Sequence, residues 1–164
     1  MNYDIEPLTP RLNKRDFCCG KALLDKYLHQ QANQDIKRLL CTVSVLVDQG
    51  RVIGYYTLST TSISKEHVPE EVRRKMPSSY HNLPAVLLGR LAVDKNYKGK
   101  RLGEYLLLDA LKKSFEVSLS YIGAMAVIVD PLDADAEKFY AKYDSIRLDS
   151  GKMFLPMQTI GSLF

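Results

Sequence analysis

The sequence predicts an α/β protein of the α+β kind, and three stretches carry that prediction. In residues 87–110, LLGRLAVDKNYKGKRLGEYLLLDA, an apolar run (Leu87, Leu88, Leu91, Ala92, Val93) stops at a polar, glycine-bearing turn. Beyond the turn Leu102, Leu106, Leu107, Ala110 and Leu111 recur at helical spacing, so a strand feeds a helix through a basic loop. Residues 42–47 are β-branched and apolar, Asp48-Gln49-Gly50 is a turn, and residues 51–61 resume with Val52, Ile53, Tyr55, Tyr56 and Leu58, the pattern of a β-hairpin. Residues 122–129, IGAMAVIV, form the fully apolar run expected of a buried strand.

The remaining elements follow in chain order. Residues 3–8 alternate and predict a short first strand, ended by Pro7 and Pro10. After a break at Phe17-Cys18-Cys19-Gly20, the residues Leu24, Tyr27, Leu28, Gln31 and Ile36 fall near one face of an amphipathic helix, or pair of helices, over residues 21–39. A short helix between Pro69 and Pro77 interrupts a long polar excursion, residues 64–83, of the sort that carries substrate contacts. The helix after the basic loop runs to Leu119. Asp133 is a natural N-cap for a helix over residues 134–143, and residues 146–148 and 153–157 read as two closing strands.

A chain of 164 residues, 46% hydrophobic, suits one domain over residues 1–164. Lys and Arg exceed Asp and Glu by 23 to 19, a net +4 that matters chiefly if the charges cluster near a polyanion. No apolar stretch is long enough to span a bilayer, and MNYDIEPL lacks the basic-then-apolar pattern of a signal peptide; a cytoplasmic protein without a membrane is expected. Cys18, Cys19 and Cys41 have neither disulfide-framework nor zinc spacing and read as reduced packing residues, with no metal site.

The strand–loop–helix junction has a chemical consequence. The first turn of a helix leaves backbone N–H groups without intrahelical partners and carries the positive end of the helix dipole, which suits an anion. Lys98, Lys100 and Arg101 add positive charge there, while Gly99 and Gly103 remove side chains that would keep a ligand from the backbone. A diphosphate is the natural guest. Neither G-x-x-x-x-G-K-[ST] nor G-x-G-x-x-G is present, which argues against ATP and NAD.

Residues 96–103, NYKGKRLG, resemble the pyrophosphate loop [QR]-x-x-G-x-[GA] of the GNAT superfamily of acyl-CoA-dependent N-acyltransferases. Lys98 stands where that family has Gln or Arg, Arg101 where it usually has Gly, and Gly103 matches outright. The order β, α, β, β, (α), β, α, β, α, β, β is also that of the GNAT fold, which implies a mixed sheet of six or seven strands, splayed at its central strands, with helices on both faces. The segments FCCG with LDKYL (17–20, 24–28), GYYTLS (54–59), LGRLAVD (88–94), FYAKY (139–143) and FLPM (154–157) are similar to the GNAT toxins of bacterial toxin–antitoxin modules, which acetylate the amino group of aminoacyl-tRNA. Those toxins usually continue Tyr-Gly-Phe after the catalytic helix, where this chain has Tyr143-Asp144-Ser145.

The resemblance implies a division of roles. Backbone groups of the central strand around Leu91, Ala92 and Val93 would pair with the pantetheine arm of acetyl-CoA as an added strand would, and Lys98, Gly99, Lys100, Arg101, Leu102 and Gly103 would hold its diphosphate. Phe139 would line the cofactor site, and Tyr140 would protonate the departing thiolate. A phenol with a pKa of about 10 is protonated at neutral pH and can give its proton to a thiolate whose thiol has a pKa of about 8.5. An antitoxin partner is implied too, and a homodimer is compatible with the family.

No Glu or His stands placed as a general base: Glu104 lies in the loop helix, and His29, His67 and His81 are scattered. An aminoacyl ester tolerates that absence, because its α-amine is more acidic than a free α-amino group at about 7.7–8.0 and is largely neutral near pH 7, whereas an alkylamine near 10.4 needs a base. Arg90, a charge in an apolar strand, reads either as a contact to the acceptor end of tRNA or as half of a salt bridge. Lys14, Arg15, Lys37, Arg38, Arg73, Arg74 and Lys75 are candidates for a phosphate-tracking surface. Two other readings stay open: a housekeeping enzyme acetylating a small or protein-borne amine, and a non-catalytic acyl-CoA-binding module.

Overall fold

A computed structural model describes residues 3–164. Among them lie the strands β1 (Asp4–Pro7), β2 (Thr42–Asp48), β3 (Arg51–Ser64), β4 (Asn82–Val93), β5 (Ala126–Val129), β6 (Ile146–Arg147) and β7 (Met153–Pro156). The helices are α1 (Ala22–Lys26), α2 (Ala32–Lys37), α3 (Glu70–Arg73), α4 (Leu102–Ser120), α5 (Ala134–Ala141) and α6 (Met157–Gly161), with a π-helical turn, Tyr27–Gln31, joining α1 to α2. The strands are hydrogen-bonded in the order β1-β2-β3-β4-β5-β7-β6, a mixed sheet, since β4 and β5 run parallel and β1–β2, β2–β3, β5–β7 and β6–β7 antiparallel. No helix among the described residues is long and apolar enough to cross a membrane.

The chain resolves into two compact units. The first comprises the described chain through Ser59 with Gly89–Ala110. Its hairpin closes on Gln49 and Gly50, both at positive φ (49° and 77°), the pair of conformations that a two-residue type I′ turn requires and that matches the twist of the flanking strands. Phe17, Tyr27, Leu28, Val43, Val45, Tyr55 and Ala92 are among its core residues. The first half of α4 packs closely on β3: a Cβ at Gly54 would stand 2.9 Å from Leu106 Cδ1 and 3.2 Å from the Ala92 carbonyl oxygen, so only glycine lets helix and strand approach this far.

The second unit, Thr60–Leu88 with Leu111–Phe164, is built on β5 and β7 around Ile63, Val68, Leu83, Ala85, Ala126, Ile128, Leu148 and Phe154. β5 pairs with β4 at Val86↔Val127, Leu87↔Ile128 and Leu88↔Val129. Here the apolar run at residues 122–129 is corrected: only Ala126–Val129 is strand. The amides of Tyr121 and Ile122 both fold back onto the Val117 carbonyl (2.9 and 3.0 Å), closing the end of α4, and the chain extends only after that cap is complete. Tyr121 and Ile122 are accordingly exposed. The central strand starts at Asn82, five positions ahead of Leu87, where the apolar run read from the sequence begins, with Leu83 and Ala85 in the core. The closing strand expected over residues 153–157 is corrected to end at Pro156, because Met157 starts α6, a helix too short to show a period in the sequence; Met157 and Ile160 anchor it, and Gly161 lies against Phe115.

Candidate active site

In the first unit the candidate site begins on β4. The Asp94 amide donates to the Ile53 carbonyl (2.8 Å), so one edge of this part of β4 is taken by β3. Backbone groups alternate sides along a strand, and the amides and carbonyls of Leu91 and Val93 therefore point to the other edge. Among the described residues that edge has no strand beyond Leu88, where the pairing with β5 stops.

The strand leads into a braced loop. Asp94 is 1% exposed, and its carboxylate accepts from the amides of Cys18 (3.1 Å) and Asn96 (2.9 Å), while the Lys95 amide donates to the Cys18 carbonyl (2.8 Å). Tyr97 donates its hydroxyl to Asp48 (2.7 Å), which holds its phenol above the usual range. Sequence reasoning had assigned neither residue a role; an Asp directly after a strand and before a turn was the available signal. Beyond the brace, Lys98, Gly99, Lys100 and Arg101 are exposed, and Lys100 Nζ stands 5.2 Å from the Tyr97 ring centroid. The first helical bond of α4 runs from Tyr105 to Arg101 (3.2 Å), so the amides of Leu102 and Gly103 precede it.

Arg101 occupies the position where the family pattern places glycine, and it keeps the glycine conformation, φ 59°, two residues after Gly99 at φ 83°. Alternating left-handed residues turn successive amides toward one point, the concavity that suits an anion. An L-residue in this region is strained by about 1–2 kcal/mol. Arg101→Gly is therefore expected to raise stability by about 0.5–1 kcal/mol, after allowance for the greater freedom of unfolded glycine. It should also weaken acetyl-CoA binding a few-fold through the lost charge. Denaturant midpoints and a calorimetric titration check both; equal stability would mean that the loop carries no strain. The 3.4 Å pairing of Arg101 with Glu104 is exposed on the arginine side and contributes little.

Arg90 is half-buried, with its Cζ 3.5 Å from the Tyr27 ring centroid. The salt-bridge reading of this residue does not hold: no carboxylate pairs with it among the described residues. Of the other basic candidates in this unit, Lys14 donates to the Leu28 carbonyl (2.6 Å), and its burial lowers its pKa, so it braces the helical segment; Arg15, Lys37 and Arg38 are exposed. His29 is tied to the Phe17 carbonyl at 2.7 Å. Cys19 is buried, and its thiol is pushed up to about 11 by that burial and by Asp25, consistent with an inert packing residue.

The second unit holds the candidate proton donor. Asp133 caps α5 by accepting from the Ala136 amide (2.9 Å), and Phe139 and Tyr140 lie on that helix with ring centroids 5.2 Å apart. The Tyr140 side chain is buried, and burial raises its phenol well above the ordinary value. Its hydroxyl has no hydrogen-bond partner among the described residues, yet it is not sealed off: among them Thr9 Oγ1 is the one buried polar side-chain atom without a partner. Tyr143 packs against Phe139 (5.9 Å) and is followed by Asp144 at φ 61°, again the conformation of the glycine that the family pattern has there. Arg73 pairs with Glu70 in this unit and lines a groove of about 610 Å³ between residues 66–73 and 146–150, which contains none of the residues expected to hold acetyl-CoA or to transfer the proton.

Buried phenols give a stability signature. Tyr55 and Tyr140 ionise near 10 in the unfolded chain, but burial holds them protonated to higher pH in the folded one. The unfolded state therefore loses protons first above pH about 10, and stability, level on the neutral side, is expected to fall from there upward. Thermal unfolding at pH 9, 10 and 11 tests this; a flat midpoint would show that the phenols ionise freely in the fold.

Residues 15–144 match the model of the acetyltransferase (GNAT) family, a match that runs through both units. The chain is 36% identical over 128 residues to a tRNA-acetylating toxin of Mycobacterium tuberculosis, covering 78% of this chain and 75% of the relative. It is 33% identical to a probable toxin TacT of Sinorhizobium fredii over 97% of this chain and 93% of that one. Among solved structures, a tyrosine-to-phenylalanine mutant of KacT superposes with a TM-score of 0.92 at 28% identity over 100% of both chains. AtaT complexed with acetyl-methionyl-tRNAfMet gives 0.90 at 27% identity over 99% of both. A mutant AtaT bound to acetyl-CoA and the C-terminus of its antitoxin AtaR gives 0.82 at 25% identity, over 99% of this chain and 98% of that one.

Proposed function

This chain belongs to the GNAT acetyltransferase family and is an acetyl-CoA-dependent N-acetyltransferase, and from that membership we propose that it is a toxin acetylating the α-amino group of aminoacyl-tRNA. The observation that carries the reading is the β4–α4 junction: an open strand edge offering the backbone of Leu91 and Val93 runs into a basic loop of left-handed residues at a helix N-terminus. That arrangement suits an extended amide-bearing arm that ends in a diphosphate. Likeness over nearly the whole chain to proteins named for tRNA acetylation supports the choice of acceptor.

Acetyl-CoA supplies the activated acetyl thioester. The chain's residues divide the remaining work. Backbone groups along Leu91, Ala92 and Val93 align the arm, and the residues Lys98, Gly99, Lys100, Arg101, Leu102 and Gly103 neutralise the diphosphate, with Phe139 lining the cofactor site. Arg90 holds the acceptor. Tyr140 gives its hydroxyl proton to the sulfur as the C–S bond breaks and recovers one from solvent, while the attacking amine gives up one proton to solvent as the C–N bond forms, so that the amide and the free thiol are the products. His29 is held by the Phe17 carbonyl and no general base is assigned, so the acceptor arrives with a neutral amine, as an aminoacyl ester does near pH 7. Residues 1–164 act as one acetyltransferase domain, the protein works in the cytoplasm, and an antitoxin neutralises it, as AtaR binds AtaT.

The test is to incubate the protein with labelled acetyl-CoA and a mixture of charged tRNAs, uncharged tRNAs, polyamines and ribosomal proteins. Label is expected on the charged tRNAs alone, with binding that weakens steeply as salt rises. Induced expression should arrest growth for the wild type and not for Tyr140→Phe. Label confined to small amines, without a growth defect, would overturn the toxin reading in favour of a housekeeping enzyme.

A further inference from the structure

Arg90 is a half-buried cation without a carboxylate partner among the described residues, and its surroundings hold it in one place. Its guanidinium lies 3.5 Å from the centroid of the Tyr27 ring, itself 4% exposed. That ring is fixed in turn. The Tyr27 hydroxyl donates to Asp35 Oδ2 at 2.8 Å and lies 3.2 Å from Cys41 Sγ, and the ring meets Tyr55 edge-on at 6.3 Å. Tyr55 is anchored by its own hydroxyl, which donates to the Leu24 carbonyl (2.7 Å). Tyr27 opens the π-helical turn between α1 and α2, a local irregularity of a kind frequent at functional sites.

We propose that Tyr27 is a positioning residue that holds Arg90 as a preformed receptor for a phosphate group, and that in the aminoacyl-tRNA reaction this phosphate belongs to the nucleic acid; the inference rests on the function proposed above. Stacking on an aromatic ring occupies one face of a guanidinium and leaves its in-plane N–H donors, the fork that grips a phosphate in two places, available. Leaving a partly desolvated charge without a counter-ion is costly, and a bound anion removes that cost. A hydroxyl that donates to a carboxylate also enriches its ring in electrons and strengthens the ring's hold on a cation. The Tyr27–Asp35 bond thus fixes the ring and favours the stack together.

The same chemistry would bind a phosphate of the coenzyme, and kinetics separate the sources. Arg90→Gln is expected to raise KM for charged tRNA at least about tenfold and to reduce the slope of log affinity against log salt by about one. KM for acetyl-CoA and kcat should stay within about twofold. Tyr27→Leu should reproduce this pattern, Tyr27→Phe should stay within about threefold of wild type because the ring remains, and the double variant should be no worse than Arg90→Gln alone. An increase in KM for acetyl-CoA alone would keep the receptor and assign it to the coenzyme. Unchanged constants in Arg90→Gln, or independent multiplication of the Tyr27→Leu and Arg90→Gln effects, would overturn the proposal. Should Tyr27→Leu fail to fold, Arg90→Lys decides: an ammonium restores the salt slope but not KM if the stacked fork matters, and recovery of both defeats the role of Tyr27. If the wild type transfers nothing to charged tRNA, the function proposed above fails, and binding of uncharged tRNA and of acetyl-CoA to Arg90→Gln still tests the receptor.

Discussion

Replacing Tyr140 by Phe is expected to lower kcat by about 10² to 10⁴ while acetyl-CoA affinity stays within about twofold of wild type, since only a proton transfer is removed. The substitution is mild for the fold. The hydroxyl has no internal partner among the described residues, so its loss strands no buried donor or acceptor, and the ring keeps its contact with Phe139. Burial raises the phenol, which guarantees a protonated donor across the working pH range but makes it a weaker acid. Transfer to sulfur is then favourable only as the thiolate emerges, when poor solvation makes it more basic than in water. Initial-rate measurement of thiol release, with calorimetric binding of acetyl-CoA as control, reads both quantities. Unchanged turnover would reduce Tyr140 to a packing residue.

The second large effect is expected at the helix N-terminus. Gly103→Trp places an indole where the diphosphate must reach the amides of Leu102 and Gly103. Hydrogen bonds to charged groups contribute about 1.5–3 kcal/mol each, so loss of two should weaken acetyl-CoA by about 10² to 10⁴-fold. Gly103 is half-buried and outside the positive-φ residues, so a side chain there meets no backbone strain. A variant that melts like the wild type yet gives no calorimetric signal with acetyl-CoA is the expected result. A titration indistinguishable from wild type would remove the loop from the binding site.

Much of the scaffold was legible because it rests on local physics. Asp48-Gln49-Gly50 announced the hairpin through turn chemistry, Asp133 announced α5 through its capping carboxylate, and the leucine spacing after Gly103 announced α4. The basic loop is legible as an anion site from its charge and its place before a helix, whereas Tyr140 stands out only as part of a family pattern, since nothing local separates one tyrosine from another.

What the sequence by itself determined, then, is the alternation of strands and helices, the basic loop between β4 and α4, and the residue types available for acyl transfer. Tertiary structure decided the rest, because those outcomes depend on partners distant in sequence. Apolarity alone could not show where β5 begins, since the amides of Tyr121 and Ile122 were needed to close α4. Arg101 and Asp144 depart from the family's glycines in composition but not in backbone, and only the folded chain holds them at φ 59° and 61°. The pairing of Asp94 with Ile53 set which backbone groups of β4 face the open edge. Arg90 found its partner not in a carboxylate but in the ring of Tyr27, far away in the chain, because a flat cation and a buried aromatic face meet only after the core has formed.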